Sequence, residues 1–432
     1  MQDFLQRYFQ LDHHHTNVRT ELIAGATTFL SMAYITVVNP AILSDAGMDF
    51  GAVFVATCIA AAVGSLVMGV WANYPIAQAP GMGQNAFFTY GIVLGLGHTW
   101  EAALGAVFVS GIIFVILSLL PVREWLINAI PKNLKLGISA GIGLFLGFIA
   151  LKNAGVVVAN PATLVTFGDM AAPGAIICLA GFALIVALTA RGVTGAVIIG
   201  MLVATALGLA VGAAEYQGVV AAPPSLSPVL FKFDLMAVLD VSMVTVVLTM
   251  LLVDVFDTAG TLVGVSNRAG LTDSDGKLPR LGRALLSDST ATVVGAVAGT
   301  SSTTSYIESA AGVESGGRTG LVAVTAAGLF LLCLFFAPLA QTIPAFATSA
   351  ALLFVACLMA KSLAELDWQD LTESAPAIVC ALGMPLSFSI ADGIGLGFIT
   401  YVAIKVMSGR AAECPAAVYV IGAIFLSKFL FL

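Results

Sequence analysis

The sequence predicts an all-α polytopic membrane protein whose fourteen transmembrane segments form a seven-plus-seven inverted repeat. Three observations predict it. Hydrophobic residues make up 59% of the 432 and charged residues only 9%, whereas soluble domains carry about a quarter charged. Apolar runs long enough to cross a bilayer, roughly 20 residues, recur along the chain. The basic residues fall into alternate connections between those runs.

The candidate spans are 22–44, 51–71, 75–96, 100–120, 132–150, 172–190, 193–213, 241–265, 282–298, 300–316, 319–341, 344–363, 374–391 and 392–409. A further apolar run, 415–432, closes the chain as another span or a surface helix. The longest connections, 151–171 and 214–240, read as loops. Residues 1–21 are polar and aromatic, with no signal-peptide pattern, so the first apolar span is expected to stay in the mature protein.

Lysine and arginine test this count. With the N-terminus in the cytoplasm, 14 of the 17 basic residues are cytoplasmic: Arg7, Arg19, Arg123, Lys132, Lys135, Arg191, Arg268, Lys277, Arg280, Arg283, Arg318, Lys361, Lys405 and Arg410. Lys152 and Lys232 fall outside, and Lys428 lies in the last run. That bias fits a cell inner (cytoplasmic) membrane protein with a cytoplasmic N-terminus. Fourteen spans split as seven and seven, and an odd number per half inverts the second half in the membrane. The inversion rests on parity alone.

Composition excludes several classes. A net charge of −7 without basic clusters gives no nucleic-acid surface. The six cysteines are scattered and read as reduced packing residues. His13, His14 and His15 lie in a polar tail without a second ligand cluster, so no metal is expected. No HExxH occurs, and no catalytic residue or cofactor is expected.

The polar groups concentrate in three spans. The third contains "APGMGQNAFF" (79–88), with Pro80, Gly81 and Gly83; the tenth contains "GTSSTTSYIES" (299–309). Both are poor membrane helices, and broken backbone at membrane depth is tolerated where it lines a cavity or is buried in protein. A matched pair of interrupted segments points to a midplane binding site. In the eighth span, Asp254, Asp257, Thr258 and Thr261 follow i, i+3, i+4, i+7 and read as one polar stripe. Intramembrane carboxylates normally face a cavity or a partner. Asp257 lies mid-span and Glu308 well inside span ten; both are candidates for binding and releasing protons. Asp254 reads as a structural acceptor, Asp288 as a structural group near the cytoplasmic end beside a basic loop residue, and Asp392 and Glu314 as water-exposed ends.

On these residues the chain resembles the AzgA-like purine permeases of the nucleobase–cation symporter-2 superfamily. The resemblance runs through "TNVRTELIAGATTFLSMAYITVVNP" (16–40), "APGMGQNAFF", "GIGLFLGFIALKNAGVVVANPATLV" (141–165), "FDTAGTLVGV", and "GTSSTTSYIESAAGV" with "GGRTGL". Its motifs look more like those of the guanine/hypoxanthine members than of the adenine members. It implies a core domain, 22–120 with 241–341, and a gate domain, 132–213 with 344–409, leaving 415–432 as an extra segment. It also implies extended segments in spans three and ten and proton-coupled uptake of a purine nucleobase. Its critical polar groups map onto Asn85, Asp257 and Glu308. Thr304 belongs to the hydroxyl run that presents backbone to a flat ligand, and Phe87, Phe88 or Tyr306 could cover the ring face. Purine nucleobase, protons and membrane lipid are the expected partners, with a homodimer a further one. Rivals are an adenine-preferring permease, or an anion transporter on the same fold, although spans three, eight and ten hold no Lys or Arg.

Overall fold

The computed structural model describes residues 2–120, 130–272 and 278–431; the expected cytoplasmic Arg123 and Lys277 lie outside them. Several helices begin where a side chain accepts one of the N–H groups left free at a helix start. Helix α1 is Gln2–Tyr8. Helix α2 (Val18–Met32) follows Asn17, which accepts from the Thr20 N–H. Helix α3 (Ile35–Asp45) continues it after a break at Ala33–Tyr34, less than two turns before Pro40, whose ring removes a donor and crowds the preceding turn. Helix α4 (Phe50–Val67) is capped by Asp49. It runs into a π-helical turn, Met68–Ala72, that ends at left-handed Asn73.

Strand β1 (Gln78–Pro80) and the short helix α5 (Met82–Ala86) then break the third apolar segment. Helices α6 (Trp100–Leu119), α7 (Lys132–Asn153), α8 (Pro173–Ala190) and α9 (Ala196–Ala210) follow. Between α7 and α8, the segment expected as a plain loop forms a hairpin of β2 (Val157–Asn160) and β3 (Leu164–Phe167). Its strands alternate too briefly, across "NPAT", to stand out in an apolar sequence.

Helix α10 (Val241–Arg268) is capped by Asp240, and α11 (Leu281–Ala298) ends at Gly299. There φ is +97° and an added Cβ would lie 2.7 Å from the Val229 carbonyl oxygen, so the turn into strand β4 (Thr303–Ser305) calls for glycine. Helices α12 (Ser309–Glu314), α13 (Gly320–Cys333), α14 (Ala337–Thr342), α15 (Ala345–Ala360), α16 (Leu371–Ser387), α17 (Ile390–Met407) and α18 (Ala416–Phe431) complete the chain.

Among the described residues, nine helices are long and apolar enough to cross a membrane. The other expected spans differ for physical reasons. Two are broken by β1 and β4, α9 and α16 have only 15 and 17 residues, and α11 carries the polar run Ser287–Asp288–Ser289–Thr290. Helix α2 packs against α13, α6 against α11 and α4 against both, while α7 packs against α15 and α16, and α8 against α9 and α15. Strands β1 and β4 pair antiparallel, Gln78 opposite Ser305 and Pro80 opposite Thr303, joining the two sequence halves through buried backbone.

An ion network pins the start of α16. Asp370 accepts from the Thr372 N–H (2.9 Å) and hydroxyl (2.7 Å) and from Arg410 (2.7 Å). The Thr372 hydroxyl and then the Arg410 guanidinium hold its carboxyl down at about 2, against an ordinary 3.8. A group so depressed contributes stability above its unfolded value and loses it as pH falls toward its folded one. Asp370→Asn is therefore expected to lower the melting temperature of detergent-solubilised protein at neutral pH, with the gap to wild type closing below pH 3.8. An equal gap at every pH would exclude the carboxylate as its source.

Candidate functional site

The site lies where β1 and β4 cross in front of α10. The strands are short because the sequence denies them length: Pro80 has no N–H, and Gly81 then starts α5. Beyond the paired residues, the Gly81 N–H donates to the Ser302 carbonyl (2.9 Å) and the Tyr306 N–H to the Ala77 carbonyl (3.0 Å). Side chains satisfy the outer edges. Ser65 bonds both the N–H (2.8 Å) and the carbonyl (3.1 Å) of Gln78, and Thr292 donates to the Thr303 carbonyl (3.0 Å).

The polar stripe expected along α10 divides in two. Asp254, Thr258 and Thr261 are buried, whereas Asp257 is exposed. Asp257 shares its face with Gly260 and Gly264, at i+3 and i+7. Nothing lies within 4 Å of where a Gly260 Cβ would stand, and a Gly264 Cβ would lie 3.6 Å from Ile307 Cδ1. An open groove thus runs from Asp257 past two glycines to Ile307. Next to Ile307 stands Glu308, which is half-buried and within electrostatic reach of Asp257. Two carboxylates therefore converge on one groove, where charge is felt more strongly than in water.

Tyr34, at the break between α2 and α3, donates its hydroxyl to Glu308 Oε1 at 2.5 Å. Sequence reasoning did not single it out; Pro40 within the first apolar span was the available signal. Asn85 is fully buried, its Oδ1 accepts from the Ser301 hydroxyl, and its Nδ2 has no partner. The other expected site residues are buried in packed protein. Thr304 is buried, 2.8 Å from the Thr258 hydroxyl. Tyr306 is buried and donates to the Pro80 carbonyl at 2.5 Å, which locks β1 to β4. Phe87 is 2% exposed, with its ring against Gly91, and Phe88 is fully buried.

Asp288 is not beside a basic loop residue. It is fully buried and accepts from Gln78 Nε2 (3.0 Å), Ser305 Oγ (2.8 Å) and Thr258 Oγ1 (2.6 Å). The broken segments bring those donors to α11, a convergence no local pattern displays. Glu314 pairs with Arg268 at the surface (3.1 Å), and Asp392 pairs with Lys428 (2.7 Å).

The two carboxylates along the groove are acceptors, which suit a small molecule that carries N–H donors. The chain also has clear relatives. The Adenine permease AdeP of Escherichia coli is 47% identical over 431 residues, covering 100% of this chain and 97% of the relative. The Guanine/hypoxanthine permease PbuG of Bacillus subtilis is 45% identical over 440 residues, covering 99% of this chain and 100% of the relative. The transmembrane domain of the cyanobacterium bicarbonate transporter BicA superposes with a TM-score of 0.66 at 15% identity, over 87% of this chain and 97% of that one, and shares its fold. The family model described as the Permease family (Xan_ur_permease) matches residues 19–396. The chain is thus a multi-pass membrane transporter, not an enzyme, and belongs to the Permease family.

Proposed function

We propose that the protein carries purine nucleobases into the cell together with protons by alternating access. The observation that carries this reading is the convergence of Asp257 and Glu308 on one groove at the β1–β4 crossing. The names of AdeP and PbuG supply the substrate class. In this reading 22–120 with 241–341 form a core domain that holds the site, and 132–213 with 344–409 form a gate that moves against it. The packing of α2, α4 and α6 on α11 and α13, apart from α7 on α15 and α16, supports that division. The fourteen segments are an inverted repeat in the cytoplasmic membrane, with the N-terminus inside.

Glu308 faces the ring N–H beside O6 of guanine or hypoxanthine, and Asp257 takes the proton exchanged with the groove. The Asn85 amide donates to a ring acceptor. Adenine offers a bare ring nitrogen where Glu308 has lone pairs, which favours guanine and hypoxanthine. A second reading, an adenine carrier, is favoured by the 47% identity to AdeP.

One experiment tests both. Cells without purine carriers that express this protein are expected to accumulate labelled hypoxanthine. A protonophore should abolish the accumulation, guanine should compete strongly and adenine weakly. Accumulation that survives the protonophore and follows a sodium gradient would overturn the coupling. Adenine competing as well as guanine would overturn the preference.

A further inference from the structure

Behind the groove, α10 and α11 enclose two carboxyl groups that the proposed site does not use. Asp288 has its oxygens filled by three donors, from Gln78, Ser305 and Thr258. Asp254 differs. It is 1% exposed, and its Oδ2 accepts only from the Thr292 hydroxyl at 3.0 Å. That hydroxyl stands equally close to the Thr303 carbonyl, so one hydrogen is shared between two acceptors. Asp254 Oδ1 is buried with no partner beyond Gln84.

Beside it lies a second incomplete group. Gln84 of α5 is 1% exposed and meets the Asp254 carboxyl as a hydrogen-bonding neighbour, while its Oε1 and Nε2 have no other partner. Buried polar atoms are almost always paired, so a buried amide and a carboxyl oxygen that have only each other call for an explanation. The chemistry of the two groups supplies one. An ionised Asp254 accepts from Nε2; a protonated Asp254 donates its Oδ1–H to Oε1. A half-turn of the amide plane serves either state, and terminal amide torsions are soft.

We propose that Asp254 is a proton-binding group of the carrier, separate from the purine groove, and that the Gln84 amide turns over with its protonation state. One proton from water joins Oδ1 and later leaves to water; no other bond changes. The charged groups facing Asp254 are carboxyls: Asp257 along its own helix and Asp288 from α11. Strand β4 brings hydroxyls, Glu308 at the head of α12 acts on Asp257, and Lys135 of α7 lies over the Phe256 ring, 5.5 Å from its centroid. A proton on Asp254 removes one negative charge from this crowded set. Gln84 adjoins Asn85 in α5, so its reorientation is delivered next to the amide proposed to meet the purine.

This inference deepens the proton-coupled reading and rests on it. The test uses full-length protein in liposomes with labelled hypoxanthine and labelled adenine. Wild type should accumulate one of them under an imposed pH gradient. Asp254→Asn, which imitates the neutral acid, should lose that accumulation and keep exchange of internal for external purine at equal pH. Accumulation by neither purine in wild type would defeat the coupled reading itself. Accumulation retained by Asp254→Asn while wild type also accumulates would overturn the role of Asp254. If Asp254→Asn does not reach the membrane, infrared difference spectra decide. At low pH, wild type should show a protonated-carboxyl band that Gln84→Met shifts. Identical carboxyl bands in the two proteins would overturn the proposal.

Discussion

Glu308→Gln is expected to weaken purine binding by roughly ten- to a hundredfold, the loss of a charge-assisted hydrogen bond of about 1.5–3 kcal/mol. The change keeps the side chain's size, and its remaining carbonyl oxygen can still accept the Tyr34 hydroxyl. It also turns an N–H toward ligand N–H groups that need an acceptor. The fold should survive, because Glu308 is half-buried and its recorded side-chain partner is retained. Competition binding on purified wild type and variant measures the effect, with thermal unfolding as the control. Unchanged hypoxanthine affinity in a folded variant would remove Glu308 from the ligand edge.

The largest structural effect is expected at Gly320, the first residue of α13. A Cβ there would stand 1.9 Å from the Gly69 carbonyl oxygen and 2.6 Å from its carbonyl carbon, so it would meet backbone, which cannot step aside. Small residues let membrane helices approach this closely. The contact is also tied by hydrogen bonds: the Gly320 N–H donates to Asn73 Oδ1 (2.7 Å), and Asn73 Nδ2 donates to the Phe9 carbonyl (3.2 Å). Gly320→Ala must push α13 off the π-helical turn and loosen those bonds together. Overpacking a tight site costs about 1–3 kcal/mol, occasionally more, and here the lost hydrogen bonds add to it. The variant should melt well below wild type and reach the membrane in reduced amount, as read by fluorescence-detected size-exclusion chromatography. A wild-type profile and melting temperature would show that α13 can shift freely.

Much of this was legible in the sequence. Long apolar runs mark the membrane helices because hydrocarbon tolerates little else over such a length. Pro80, Gly81, Gly83 and Gly299 mark the two broken segments, since proline and glycine act on the backbone locally. Asp257 and Glu308 stood out as carboxylates placed well inside apolar spans. The remainder depends on contacts that local pattern cannot carry. Helical periodicity put Asp254, Thr258 and Asp257 on one stripe, yet a stripe this wide faces packed protein on one flank and open space on the other. Asp288 lies near a helix start, where a basic neighbour is the usual partner; its donors come instead from Gln78, Thr258 and Ser305. Tyr34 looked like one aromatic among many until the break before α3 aimed its hydroxyl at Glu308.

The pairing of β1 with β4 also bears on how the chain is made. The two strands lie roughly 220 residues apart in sequence. At a synthesis rate of about 5–20 residues per second, β1 leaves the ribosome roughly 10–45 s before its partner exists. Throughout that interval the backbone of residues 78–80 has only Ser65 to bond with among the side chains that later serve its edge, and bare peptide groups are not stable in lipid. The nascent first half must therefore keep this segment at the insertion machinery or in water, and biogenesis of the carrier is complete only when β4 arrives to claim it.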